Sequence, residues 1–216
     1  MLPQVNDVST GKLYKSIDMK IEVSHNGRVF RLPKWYWGLC EKVKQRPDFS
    51  ELEKTHRERT EKHIQSVIEY SQRFRILSQT FANHDADKLN ENSIIYVPYV
   101  LVTLKYKDKE KLSERENLLT NIGTFIHVKS NPHHPEYRDR NMTFSNFDRD
   151  ETREITNGSK MQVFEIMEMC CDWCAMSKEL GGSPFDWFEK NNGTRWSFTE
   201  EQVASIQHNL GRAWMT

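Results

Sequence analysis

The sequence predicts a mainly α-helical protein with a small β element at its N-terminus. Three observations carry that expectation. From Ser50 onward apolar residues recur at steps of three and four. Helix-starting and helix-stopping residues bracket several of those segments. Near the start, Asn26-Gly27 sits between two partly alternating runs, a strong local signal for a two-residue hairpin. The chain has 216 residues, enough for one domain with a real core, or one domain plus an appendage.

In chain order, residues 1–47 differ from the rest. The run IEVSHNGRVFRL from Ile21 to Leu32 supplies the hairpin, and the aromatic cluster Trp35, Tyr36 and Trp37 follows it. These residues are expected to form a β appendage packed on a helical domain spanning 48–216. Ser50 is the expected N-cap of the first long helix, with Glu53 three residues later completing a capping box. Beyond it His63, Val67, Tyr70, Phe74, Leu77, Phe81 and His84 form one helical stripe. The apolar run 92–104 contains Pro98 and reads either as a strand or as two short helices broken at the proline. The charged run 105–116 reads as a solvated helix face or loop. Helical periodicity returns over 117–128, with Leu118, Ile122, Phe125 and Ile126 apolar, and Asn131-Pro132 ends it.

Residues 137–160 are polar with weak periodicity, so an insertion or lid is expected at about 138–160. A clear helix over 161–180 stops at Gly181-Gly182. A final one begins at Thr199, boxed with Gln202, and runs to about Arg212.

Composition narrows the function classes. Hydrophobic residues make up 37% and charged residues 29%, which fits a globular protein rather than a disordered one. Lysine plus arginine and aspartate plus glutamate each total 31, so no basic excess marks a nucleic-acid binder. No apolar run approaches the roughly 20 residues of a membrane span, and the N-terminal stretch lacks an apolar leader region. A cytoplasmic location is the resulting expectation. Of the four cysteines, Cys170, Cys171 and Cys174 crowd one helical stretch and only Cys40 stands apart, so buried thiols are expected rather than a disulfide framework or a zinc site.

The chemistry concentrates in histidine and aspartate. Five of the eight histidines lie between positions 63 and 134: His63, His84, His127, His133 and His134. His84-Asp85 pairs an imidazole with a carboxylate. Asp172 sits among Met169, Trp173 and Met176, where an ionised carboxylate is costly unless paired. A divalent cation is a natural partner, and His63, His84, Asp85 and Asp172 are the candidate ligands. The imidazole–carboxylate mixture suits Mn²⁺, Fe²⁺, Co²⁺, Ni²⁺ or Zn²⁺ better than Ca²⁺, with Mg²⁺ as a further candidate. One geometric condition applies. His63 and His84 are 21 positions apart (84 − 63), about 31 Å along a continuous helix. They share a site only if the chain reverses between Ser71 and Thr80, whereas an unbroken stripe would keep them apart.

The ordered set His63, His84-Asp85, Asp172 resembles the HD-domain metal-dependent phosphohydrolases. Lys88 matches the lysine three residues after the aspartate of such proteins. A closer resemblance is to an uncharacterised bacterial and phage family of HD-like proteins, carried by HDADKL at 84–89, HVKSNPHHPEY at 127–137 and EMCCDWCAMS at 168–177. The resemblance covers roughly residues 60–210. It implies an HD-like helical domain, with His63, His84, Asp85 and Asp172 on one metal. It also implies that His127 with His133 or His134 holds a second metal or binds substrate. Lys88 would neutralise phosphate charge, and Glu136 would orient water or act as general base.

The implied function is hydrolysis of a nucleotide or other small phosphoester by a metal-activated water. Two rivals stand beside it: an HD-like diiron oxygenase using one more pair of ligands, and a non-catalytic nucleotide- or protein-binding module. A homo-oligomer is compatible with the sequence.

Overall fold

The computed structural model describes residues 19–75, 80–107, 112–145, 147 and 154–215. The protein is mainly helical with a small N-terminal hairpin, as the sequence predicts. Strands β1 (Met19–His25) and β2 (Arg28–Pro33) pair antiparallel. The turn between them has φ of 47° at Asn26 and 73° at Gly27, the doubly left-handed two-residue turn that Asn-Gly favours. Phe30 and Leu32 face inward while Val29 faces solvent.

Helix α1 (Tyr36–Lys44) follows, so residues 1–47 hold a helix as well as the β element. Its Tyr36, Cys40 and Val43, spaced four and three, are buried. They share one hydrophobic cluster with Phe30, Leu32, Phe49, Leu52 and residues of two further helices. Those helices are α4 (Tyr96–Lys107) and α5 (Glu114–Ser130).

Helix α2 (Phe49–Gln72) begins one residue before the expected cap, so the Ser50–Glu53 capping box is not formed. Buried Phe49 anchors the start, and Glu53 Oε1 instead accepts from Tyr96 Oη at 2.9 Å. The helix stops at Gln72, and Arg75 has φ of 58°. The stripe is therefore interrupted within the window where reversal was required. Its member Leu77 lies outside the described residues. After a turn over Thr80–Asp85 comes the short α3 (Ala86–Leu89).

Both readings of the proline segment give way. Pro98 lies in the first turn of an unbroken α4, where a backbone N–H has no intrahelical partner to lose. Helix α5 starts three residues earlier than its apolar pattern, because Ser113 and Glu116 form a capping box. It ends just before Asn131-Pro132, as expected. Part of the charged run, residues 108–111, lies outside the described residues.

After α6 (Pro135–Arg138) the chain is pinned down rather than loose. Both oxygens of Asp139 accept backbone N–H groups, Oδ1 from Asn141 at 2.8 Å and Oδ2 from Asn157 at 2.7 Å. Met142 and Phe147 are buried against Phe125 and Val128. Strand β3 (Thr156–Asn157) pairs parallel with β4 (Trp196–Ser197). The remainder of the expected insertion, residue 146 and residues 148–153, lies outside the described residues.

Helix α7 (Val163–Leu180) ends at Gly181 with φ of 70°. Helix α8 (Pro184–Asn191) is capped by Ser183. Helix α9 (Glu200–Trp214) has the expected Thr199–Gln202 box. A second hydrophobic cluster joins Val67, Tyr70, Phe74 and Phe81 to Ile166, Met169 and Cys170 of α7 and to Ile206 and Leu210 of α9. All four cysteines are buried and unpaired. Among the described residues, no helix is long and apolar enough to cross a membrane.

Candidate metal centre

Four stretches of chain deliver the donors. The second half of α2 carries His63. The turn that follows it carries His84 and Asp85. The end of α5 and the next turn carry His127, His133 and His134, and α7 carries Asp172. Asp85 has φ of 56°, a left-handed conformation that aspartate tolerates better than most side chains. His63, His84, Asp85, His127 and His133 are buried, while His134 and Asp172 are half-buried.

Of three groups among the described residues able to hold an ion, two are sets of expected donors and the third joins His84 and His133 to Glu168. His63 Nε2 lies 3.3 Å from His84 Nε2 and 3.0 Å from Asp172 Oδ1, so the two histidines do converge. In the other set His127 Nε2 lies 3.0 Å from His134 Nε2. Asp85 stands between them. Its Oδ2 is 3.7 Å from His63 Nε2 and 3.6 Å from His84 Nε2. Its Oδ1 is 3.1 Å from His127 Nε2 and 3.7 Å from His133 Nε2. The donor atoms of His63, His84 and Asp172 lie within 4.8 Å of one another, and so do those of Asp85, His127, His133 and His134. Asp85 Oδ1 and His133 Nε2 are also buried atoms with no hydrogen bond. A cation satisfies such atoms where no donor is present. These groups can therefore hold a metal ion.

Behind the donors lie carboxylates that the sequence did not mark. Glu168 Oε1 lies 2.9 Å from His84 Nδ1 and 3.3 Å from His133 Nδ1. Asp87 Oδ2 lies 3.1 Å from His127 Nδ1, 3.2 Å from His25 Nε2 and 2.8 Å from Asn131 Nδ2. An ionised carboxylate only accepts, so each facing Nδ1 carries a proton, and in the neutral ring the Nε2 opposite it keeps its lone pair for the centre. Glu168 had a readable signal, being charged on a largely apolar helix four residues before Asp172. His25 had none, since 62 positions separate it from Asp87.

Charge follows this packing. Burial alone would raise the Asp85 carboxyl, but Lys88, His84 and His127 outweigh it and hold it well below the usual carboxylate range. Burial is likewise outweighed at Asp87 by His127 and His25, and at Asp172 by His63 and His84, so both are pulled down. Hydrogen bonds from His133 and His84 outweigh burial at Glu168 and bring it to about 2. Burial lowers His84 and His134. At His133 burial is overcome by Glu168, and the group is raised.

The remaining expected site residues differ in fate. Lys88 Nζ is 2.6 Å from Asp85 Oδ2 and 4.8 Å from the centre of the Tyr99 ring. It is thus a charge already committed to Asp85, at the wall of a cavity, and Asp85 outweighs burial to raise it. Glu136 is buried, its Oε1 accepting from Trp196 Nε1 at 3.0 Å, and it belongs to neither donor set.

The cavity has a volume of about 720 Å³ and reaches His63, Asp85, His134 and Asp172. It is also walled by Tyr99, Trp187 and Trp196, with Lys190 and Arg195 nearby. His134 lines it and His133 does not. None of the described residues between 138 and 160 lines it either.

The family described as "Family of unknown function (DUF5662)" matches residues 52–212, which include every donor but leave out the hairpin and α1. No curated protein and no solved structure matches.

Proposed function

The chain belongs to this family of unknown function, and from that premise we propose that it is a metal-dependent phosphohydrolase with two adjacent divalent ions sharing Asp85. One observation carries the reading: each oxygen of the Asp85 carboxylate faces a different set of imidazoles. His63, His84, Asp85 and Asp172 would hold one ion. Asp85, His127, His133 and His134 would hold the other. Bound divalent ions supply Lewis acidity and a nucleophile at neutral pH. Imidazole with carboxylate suits Mn²⁺, Fe²⁺, Co²⁺, Ni²⁺ or Zn²⁺.

The chain's own residues set the rest. Lys88 brings a half-buried positive charge to the cavity wall, where a substrate phosphate gains from it. Trp196 fixes Glu136, whose carboxylate is then positioned to take a proton from water. A cavity of about 720 Å³ suits a small organic phosphoester, and its aromatic walls at Tyr99 and Trp187 suit a nucleobase. The order of the donors along the chain, which resembles HD-domain proteins, supports the same reading.

The test is metal analysis together with phosphate release from a nucleotide panel in added Mn²⁺, Co²⁺ or Mg²⁺. Two ions per chain and release that vanishes in Asp85→Ala are expected. Release unchanged in Asp85→Ala would overturn the reading. A two-iron oxygenase is the second reading, favoured by the five imidazoles in the donor set. Iron analysis and an electron paramagnetic resonance spectrum of aerobically purified protein separate the two.

A further inference from the structure

Glu168 lies outside the ligands named above, yet it touches both sets. One of its oxygens, Oε1, lies 2.9 Å from Nδ1 of His84 and 3.3 Å from Nδ1 of His133. His84 belongs to the first set and His133 to the second. Their rings are 4.3 Å apart, centre to centre, so one carboxylate reaches both. Glu168 also stands four residues before Asp172 on α7, hence on the same helical face as a ligand of the first set. Asp87 makes the contrast: among the donors it meets only His127.

We infer that Glu168 is the positioning residue that couples the two ions. By accepting from both rings it fixes one tautomer in each and aims both Nε2 lone pairs at the centre. An ion bound by His84 orders that ring, and with it Glu168 and the ring of His133. The first ion thereby prepares the seat of the second. Loss of Asp87 loosens one seat, whereas loss of Glu168 loosens both. The inference rests on the two-ion reading.

The test titrates metal-free protein with cobalt(II) alone, followed by visible absorption, in wild type, Glu168→Ala, Glu168→Gln and Asp87→Ala. Wild type is expected to bind two ions. Glu168→Ala should weaken both about 10–100-fold, and Asp87→Ala only one. Glu168→Gln keeps an acceptor oxygen and should recover part of the loss.

A second readout needs neither metal nor activity. Nitrogen-15 histidine spectra of the metal-free protein should show hydrogen-bonded Nδ1–H signals for His84 and His133, lost in Glu168→Ala and kept in Glu168→Gln. Circular dichroism checks that each variant folds, and Glu168→Gln carries the comparison if the alanine variant does not. Should wild type bind fewer than two ions, the two-ion reading falls and this inference with it. If wild type binds two and Glu168→Ala binds them with unchanged affinity, or loses only one, this inference alone is overturned.

Discussion

Asp85 is buried and Lys88 half-buried, their charged atoms 2.6 Å apart, and each depends on the other. Asp85→Ala leaves the half-buried Lys88 ammonium without its carboxylate at the cavity wall. Breaking a charge-assisted pair of this kind costs roughly 1–3 kcal/mol, less than in a fully buried site because solvent in the cavity reaches the stranded charge. Adding Lys88→Met to that variant should restore most of the loss, as urea denaturation of the metal-free proteins would reveal. Equal stability of the single and double variants would show that Lys88 bears no such burden. Glu168 gives a pH prediction. Its folded value of about 2 lies below the ordinary 4.5. The unfolded chain therefore binds its proton first, and stability present above about pH 4.5 is lost as pH falls toward 2. Glu168→Gln should flatten the metal-free stability profile in that window by roughly 1–3 kcal/mol. His63, His84, Asp85 and Asp172 were legible because charged or imidazole groups stood out in order along the chain. His25, Asp87 and Asn131 were not, because a supporting partner is defined by where the fold brings it. Nothing in their spacing announces that role.

Helices α4 and α5 approach tightly where Gly123 faces Pro98. A methyl group added at Gly123 would stand 2.3 Å from Pro98 Cβ. In an exposed helix glycine-to-alanine stabilises by about 1 kcal/mol. Here the sign should reverse, with Gly123→Ala losing about 1–3 kcal/mol as the helices part. A denaturation midpoint above wild type would refute that. The same pair shows why some elements were readable and others not. Asn26-Gly27, the Thr199–Gln202 box and Gly181 are local signals, and each formed as read. Helix α1 is only nine residues long and begins among aromatics, so its period was too brief to register. Pro98 was misleading because its effect depends on depth within the helix, and the first turn tolerates it. The start of α2 was set by the burial of Phe49, a tertiary fact that outweighed the local box at Ser50.

At the scale of the molecule, the centre lies at a seam. His63 and Asp172 come from helices of the second hydrophobic cluster, and His127 from a helix of the first. The hairpin, outside the family match, joins the first cluster and touches the seam through His25. The donors are also far apart along the chain: 21 positions from His63 to His84 (84 − 63), 42 from Asp85 to His127 (127 − 85) and 38 from His134 to Asp172 (172 − 134). That separation has a consequence in time. Closing such loops is entropically costly before other contacts reward it, so the cage assembles only after both clusters have condensed. Refolding from urea should then run at the same rate with Mn²⁺ or with a chelator. Unfolding should be slower with Mn²⁺, since contacts absent from the transition state act on that limb alone. Stopped-flow traces in which Mn²⁺ accelerates refolding would mean that the cage forms early and helps to organise the fold.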